Sequence, residues 1–239
     1  MIGIVVAEEK EIAGFVDKLD RVHSTWSSGY NGYLGSFCGK EEVVVLASGV
    51  GKVNAAACTE ALISDFCPGF VVNAGVAGSI DPTVVPGSLV VPVKCFQHDL
   101  NLISLGYALG EAPGQDTFTR VSASVESVLV RAACQVYAGD CSRVHSGVLG
   151  TGDSFVASSV QQASLAATTQ ATLVDMEGAA VATVCSRRAK PFGIVKYISD
   201  CASDSAASDY VGEVPSGAEV LTSVLLETVR LADSIRHLL

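Results

Sequence analysis

The sequence predicts a single α/β domain with a central mixed, mostly parallel β-sheet flanked by helices. Short apolar runs of strand length alternate with longer helix-like segments, a pattern that builds a parallel sheet covered on both faces. Hydrophobic residues make up 49% of the chain and charged residues 17%, which suits strands buried on two sides. At 239 residues the chain fits one large domain, residues 1–239, and nothing in it resembles a linker.

Strands are expected at residues 2–7, 43–47, 70–72, 89–93, 144–149, 173–174 and 192–198. Helices are expected at 9–19, 53–66, 122–138, 159–167, 177–188 and 218–239. Residues 33–38 and 43–47 flank Gly39-Lys40-Glu41-Glu42 and read as a hairpin. No internal repeat or low-complexity tract interrupts the pattern. The least regular stretch, residues 99–119, contains Gly106, Gly110, Pro113 and Gly114. A loop that long in a compact domain is usually functional or packed on a neighbour.

The net charge of −10 argues against nucleic-acid backbone binding, and no basic stripe is present for an anionic membrane. Cysteines at 38, 58, 67, 95, 134, 141, 185 and 201 show no C-x-x-C spacing and no accompanying His cluster, so no metal site is expected. Many of them sit beside apolar residues and read as small core fillers in a reduced compartment. The N-terminus runs from a short apolar stretch straight into Glu8-Glu9-Lys10-Glu11, unlike a signal peptide. No apolar run reaches membrane-spanning length. A cytoplasmic protein is expected.

Acidic residues follow three of the strand-like runs. They are Glu11 after the first, Glu177 within Val174-Asp175-Met176-Glu177-Gly178, and Asp200 closing Ile198-Ser199-Asp200. Ligands of open α/β sheets bind beyond the carboxyl ends of the strands. Carboxylates delivered there from separate strands form the layout of an acid/base site. A sugar–base bond is a fitting target, since its cleavage needs an acid, a base and an anionic cradle for a developing cation. Each residue also has a plainer reading. Glu11 and Glu177 at helix starts favour the helix dipole, and Asp200 suits a turn.

Gly49-Val50-Gly51-Lys52 fails the phosphate-loop pattern, with Leu46 at the first glycine position and Val53 after the lysine, and reads as a tight turn opening a helix. Asn73-Ala74-Gly75-Val76-Ala77-Gly78 lets backbone come close to either a ligand or a packed helix.

Taken together, several motifs resemble the 5′-methylthioadenosine/S-adenosylhomocysteine nucleosidases of the purine nucleoside phosphorylase superfamily, over nearly the whole chain. They are Ile2-Gly3-Ile4 with Glu11, Ser48 to Val53, Asn73 to Gly78, Gly106-Tyr107, Pro113-Gly114, Gly152-Asp153-Ser154-Phe155, Met176-Glu177 and Ile198-Ser199-Asp200. The resemblance implies hydrolysis of a 5′-modified adenine nucleoside to adenine and free thioribose, by a homodimer with no cofactor and no metal.

It also implies roles. Asp200 would protonate adenine N7, oriented by Ser199, and Glu11 would deprotonate the attacking water. Glu177, with the Met176 backbone, would hold the ribose hydroxyls. Phe155 would stack on the purine, the Val156 backbone would read its edge, and Gly78 counts among the substrate-binding residues. Val50, Met176, Leu102 and Tyr210 would form the 5′ pocket, completed by Leu105, Tyr107 and Pro113 from a partner subunit. Three departures from the family pattern stand out: Lys196 where arginine is usual, Val76 where serine is frequent, and Glu8 where methionine is frequent. The rival readings are a nucleosidase for another 5′-modified purine nucleoside (futalosine type), a phosphorylase, and a nucleoside-binding protein without catalysis. A phosphorylase would need arginines where this chain has Glu8, Glu9, Glu11 and Val76.

Overall fold

The computed structural model describes residues 1–37, 39 and 41–232. Among them, ten strands make one sheet. They are β1 (Ile2–Val6), β2 (Asp20–Ser27), β3 (Tyr30–Phe37), β4 (Glu41–Ala47), β5 (Phe70–Ser79), β6 (Leu89–Gln97), β7 (Thr119–Arg120), β8 (Val144–Thr151), β9 (Leu173–Asp175) and β10 (Phe192–Asp200). The helices are α1 (Ala13–Val16), α2 (Lys52–Phe66), α3 (Ala123–Val136), α4 (Ser159–Thr168), α5 (Gly178–Arg187) and α6 (Ala206–Leu231).

Neighbours run β10-β6-β8-β9-β5-β1-β4-β3-β2, and β10 also pairs with β5. That last pairing bends half of the sheet into a closed ring of β5, β10, β6, β8 and β9. Strand alternation sends side chains to opposite faces. Ile2, Ile4 and Val6 of β1, with Val43 and Val45 of β4, join one core against α1, α3 and α6. Val5, Val44 and Leu46 join the other, against α2 and α5. Burial on both faces explains why these strands are continuous apolar runs rather than alternating ones.

Several elements differ from the sequence expectation. The helix expected at 9–19 is a single 3-10 turn, Glu9–Glu11, followed by the short α1. The polar strand β2 takes over from Asp20; its residues are mostly exposed, so it carries no apolar signal. Strand β5 continues beyond the expected 70–72 through Asn73 to Ser79. Helix α6 begins at Ala206 rather than 218 and tolerates Pro215 inside it. Residues 233–239 of the helix expected at 218–239, with Cys38 and Lys40, lie outside the described residues.

The cysteines also require correction. Cys58, Cys95 and Cys185 are buried free thiols, but Cys67 is exposed, and Cys134 and Cys141 form a disulfide. The chain turns back after α3 through residues 137–140, where Ala138 and Gly139 take left-handed backbone, and this brings the two Cα atoms to 4.8 Å. No helix among the described residues is long and apolar enough to cross a membrane.

Candidate active site

Strand register gathers the carboxylates. Val5 pairs with Asn73, Asp200 with Gly78, and Thr151 with Asp175, so the ends of β1, β5, β8, β9 and β10 meet at one edge of the sheet. A cavity of about 380 Å³ opens there, lined in part by Glu8, Glu11, Asp175, Glu177 and Asp200. Val50, Val76, Gly78, Phe155, Met176, Ser199 and Tyr210 complete most of its wall. Val156 lines a small adjoining recess together with Gly78, Phe155, Met176 and Asp200.

Two glycines of β5 make room for the acids. A Cβ on Gly75 would lie 2.9 Å from Glu11 Oε1, and one on Gly78 would lie 2.8 Å from Asp200 Oδ1. The glycine-rich run therefore faces acidic side chains, which answers what its backbone approaches.

Glu11 is buried, and its carboxylate accepts hydrogen bonds from the backbone N–H groups of Ala7 (3.1 Å), Glu8 (2.9 Å) and Val76 (3.3 Å). Burial raises its pKa, while these donors and the Lys196 charge oppose the rise. Asp200 accepts from Ser199 Oγ at 2.7 Å and from the Ala202 N–H at 2.8 Å. Burial pushes it above the usual carboxylate range, against those two hydrogen bonds. Glu177 sits at the N-cap of α5 and accepts from the Gly51 N–H at 2.9 Å. Burial, then the neighbouring Asp175 charge, pushes its pKa up to about 7.

The turn Gly49-Val50-Gly51-Lys52 does open α2, and it also aims an N–H at Glu177. Phe155 is exposed to the cavity, with Tyr210 edge-on at 5.8 Å between ring centroids.

Lys196 is buried beneath the acids. Its Nζ is 2.8 Å from Asp175 Oδ2, and Asp175 further accepts from Thr151 Oγ1 (2.5 Å) and the Gly178 N–H (2.8 Å). Burial works against the Lys196 charge, but Asp175, Glu177 and Glu11 outweigh it and raise the pKa. Residue reading assigned Asp175 no role. The available signal was a lysine in the middle of an apolar strand, which needs a buried anion. Ala7, Val174, Ala207 and Val211 are further wall residues that the sequence did not single out.

Tyr107, Leu102, Leu105 and Pro113 do not line this cavity. They belong to the irregular 99–119 stretch, where Leu105 is 70% exposed. Among the described residues, no group of three or more His, Cys, Asp or Glu side chains is placed to hold a metal ion.

The chain matches the phosphorylase superfamily over residues 1–230. It is 33% identical over 220 residues to a 5′-methylthioadenosine/S-adenosylhomocysteine nucleosidase of Marinomonas sp. (strain MWYL1), spanning 92% of this chain and 94% of that one. The crystal structure of the Neisseria meningitidis nucleosidase of that type, in complex with methylthio-immucillin-A, is similar at a TM-score of 0.90 and 28% identity, covering 96% and 98% of the two chains. Futalosine hydrolase of Helicobacter pylori strain 26695 is similar at a TM-score of 0.89 and 28% identity, covering 96% and 97%.

Replacing Lys196 with methionine should leave Asp175 buried and uncompensated, at a cost of about 3–5 kcal/mol. Urea unfolding measures it. An unshifted midpoint would mean that the pair adds nothing to the fold.

Proposed function

Because the chain belongs to the 5′-methylthioadenosine/S-adenosylhomocysteine nucleosidase family of the phosphorylase superfamily, we propose that it hydrolyses the N-glycosidic bond of a 5′-thio-modified adenine nucleoside. The products are adenine and free thioribose. One observation carries the reading: Glu11, Glu177 and Asp200 wall a single cavity, and no cationic side chain is among the described residues lining it. A phosphate dianion would meet carboxylates and no cationic partner in that lining, whereas a sugar turning cationic is stabilised.

The acid and base roles divide by environment. Asp200, whose pKa desolvation raises, passes a proton to adenine N7 as the C1′–N9 bond breaks and its electron pair moves into the purine. Ser199 fixes the carboxyl orientation. Glu11 has more support for its charged form, three N–H donors and the Lys196 ammonium, and takes a proton from the water that attacks C1′. Glu177, tethered to the Gly51 N–H, holds the ribose hydroxyls and sets negative charge near the oxocarbenium-like sugar. Phe155 offers its ring to the purine, and the Val156 backbone reads the purine edge. Val50, Met176 and Tyr210 surround the 5′ group.

The active species in this reading is a homodimer, each cavity completed by Tyr107 and Leu105 of the 99–119 stretch from the second subunit. The exposure of Leu105 and Ile103 supports it. The free thiols of Cys58, Cys95 and Cys185 support a cytoplasmic setting, and the Cys134–Cys141 disulfide counts against it.

Three measurements test this reading. Product analysis in phosphate buffer should find free sugar from methylthioadenosine or S-adenosylhomocysteine, and little from futalosine; a sugar 1-phosphate would establish a phosphorylase instead. Asp200→Asn keeps a hydrogen-bond donor but cannot transfer a proton, so turnover should fall at least ~10²-fold with much smaller loss of nucleoside binding. A folded Asp200→Asn protein with normal turnover removes Asp200 from the mechanism. Sedimentation under assay conditions should show a dimer, and a fully active monomer would exclude the shared cavity.

A further inference from the structure

The cavity wall that follows β1 is not what a plain thioether requires. Glu8 lines the cavity beside Tyr210, and its Oε2 accepts from Tyr210 Oη at 3.2 Å and lies 2.7 Å from Lys10 Nζ. The Lys10 ammonium also stands 5.6 Å from the centre of the Tyr210 ring. The Lys10 and Glu8 side chains remain 50% and 38% exposed. An ion pair that open to water contributes little to folding, so stability does not account for its position at the rim. For the same reason, its partners exchange readily for charged groups of a ligand.

A carboxylate and an ammonium side by side are the complement of an α-amino acid end group. Glu8 can take the ligand ammonium while Lys10 takes its carboxylate, each in a charge-assisted hydrogen bond. A methylthio group offers neither partner, and its apolar surface would sit against a polar wall.

Resting on the nucleosidase reading above, we propose that Glu8 and Lys10 are specificity-determining residues. They make S-adenosylhomocysteine, whose 5′ thioether ends in an amino acid, the preferred substrate over methylthioadenosine. Phe155 and Tyr210 serve both substrates, because the adenine and ribose are common to them.

The test compares kcat/KM for methylthioadenosine, S-adenosylhomocysteine and 5′-(3-aminopropylthio)-5′-deoxyadenosine, which keeps the ammonium but lacks the carboxylate. The unmodified protein should favour S-adenosylhomocysteine over methylthioadenosine. Glu8→Gln and Glu8→Met should each lower that ratio about tenfold, mainly through KM, the size of one lost contact worth ~1.4 kcal/mol. The aminopropyl probe should suffer likewise. Lys10→Met should lower the ratio for S-adenosylhomocysteine but not for the aminopropyl probe. Ratios unmoved by all three substitutions overturn the proposal while leaving the nucleosidase reading intact. Failure of the unmodified protein to cleave any of the three nucleosides overturns both.

Discussion

A charge taken out of water must be matched, and the Lys196–Asp175 pair is the match on which the floor of the cavity rests. Lys196 lies on β10 and Asp175 on β9, strands that flank β5 on opposite sides, so the pair ties two walls of the ring together. Thr151 at the end of β8 and the first N–H of α5 donate two further hydrogen bonds to Asp175. With that carboxylate held, the lysine field reaches Glu11 and Glu177 and moderates the cost of burying both. Remove it, and several acids would face one another with backbone donors as their main relief.

The backbone supplies what the single ammonium cannot. Glu11 is held by N–H groups just past β1 and within β5, Glu177 by a turn opening α2, and Asp200 by the chain just beyond β10. Each donor is a backbone group next to or within a strand or helix, and costs less ordering than a long side chain would. The glycines of β5 complete the arrangement by leaving space for carboxylates in the middle of a packed sheet.

Much of this was legible in the sequence. The buried parallel strands announce themselves as Val- and Ile-rich runs, and Glu177 and Asp200 stand out because each follows or ends such a run, whereas position alone does not separate Glu11 from Glu8 and Glu9. What escaped reading was whatever lacks an apolar period. Strand β2 is polar and exposed, and α6 hides its first turns behind Ser, Gly and Pro215. The ring closure escaped too, because the pairing of β5 with β10 joins residues far apart in sequence, a relation no local pattern encodes. Asp175 was visible as a residue but not as a partner, since Lys196 reaches it only after that closure. The disulfide between Cys134 and Cys141 depends on how tightly the chain turns after α3, which spacing alone did not reveal.

Closing the ring has a consequence for how copies of this chain can meet. A sheet normally offers two unpaired margins to which a foreign strand could add, a route to uncontrolled aggregation. Here β10, at one end of the strand order, is already paired back onto β5, so apart from the two-residue β7 the margin left among the described strands is β2. That margin is guarded. Its register breaks between Asp20 and His23, Arg21 adopts a left-handed backbone at φ 52°, and most of its side chains are exposed and polar. Strand-to-strand growth at β2 is thereby disfavoured, although Val22 and Trp26 are exposed on it. Surfaces of helices and loops are left as the places where side-chain shapes can demand a specific partner.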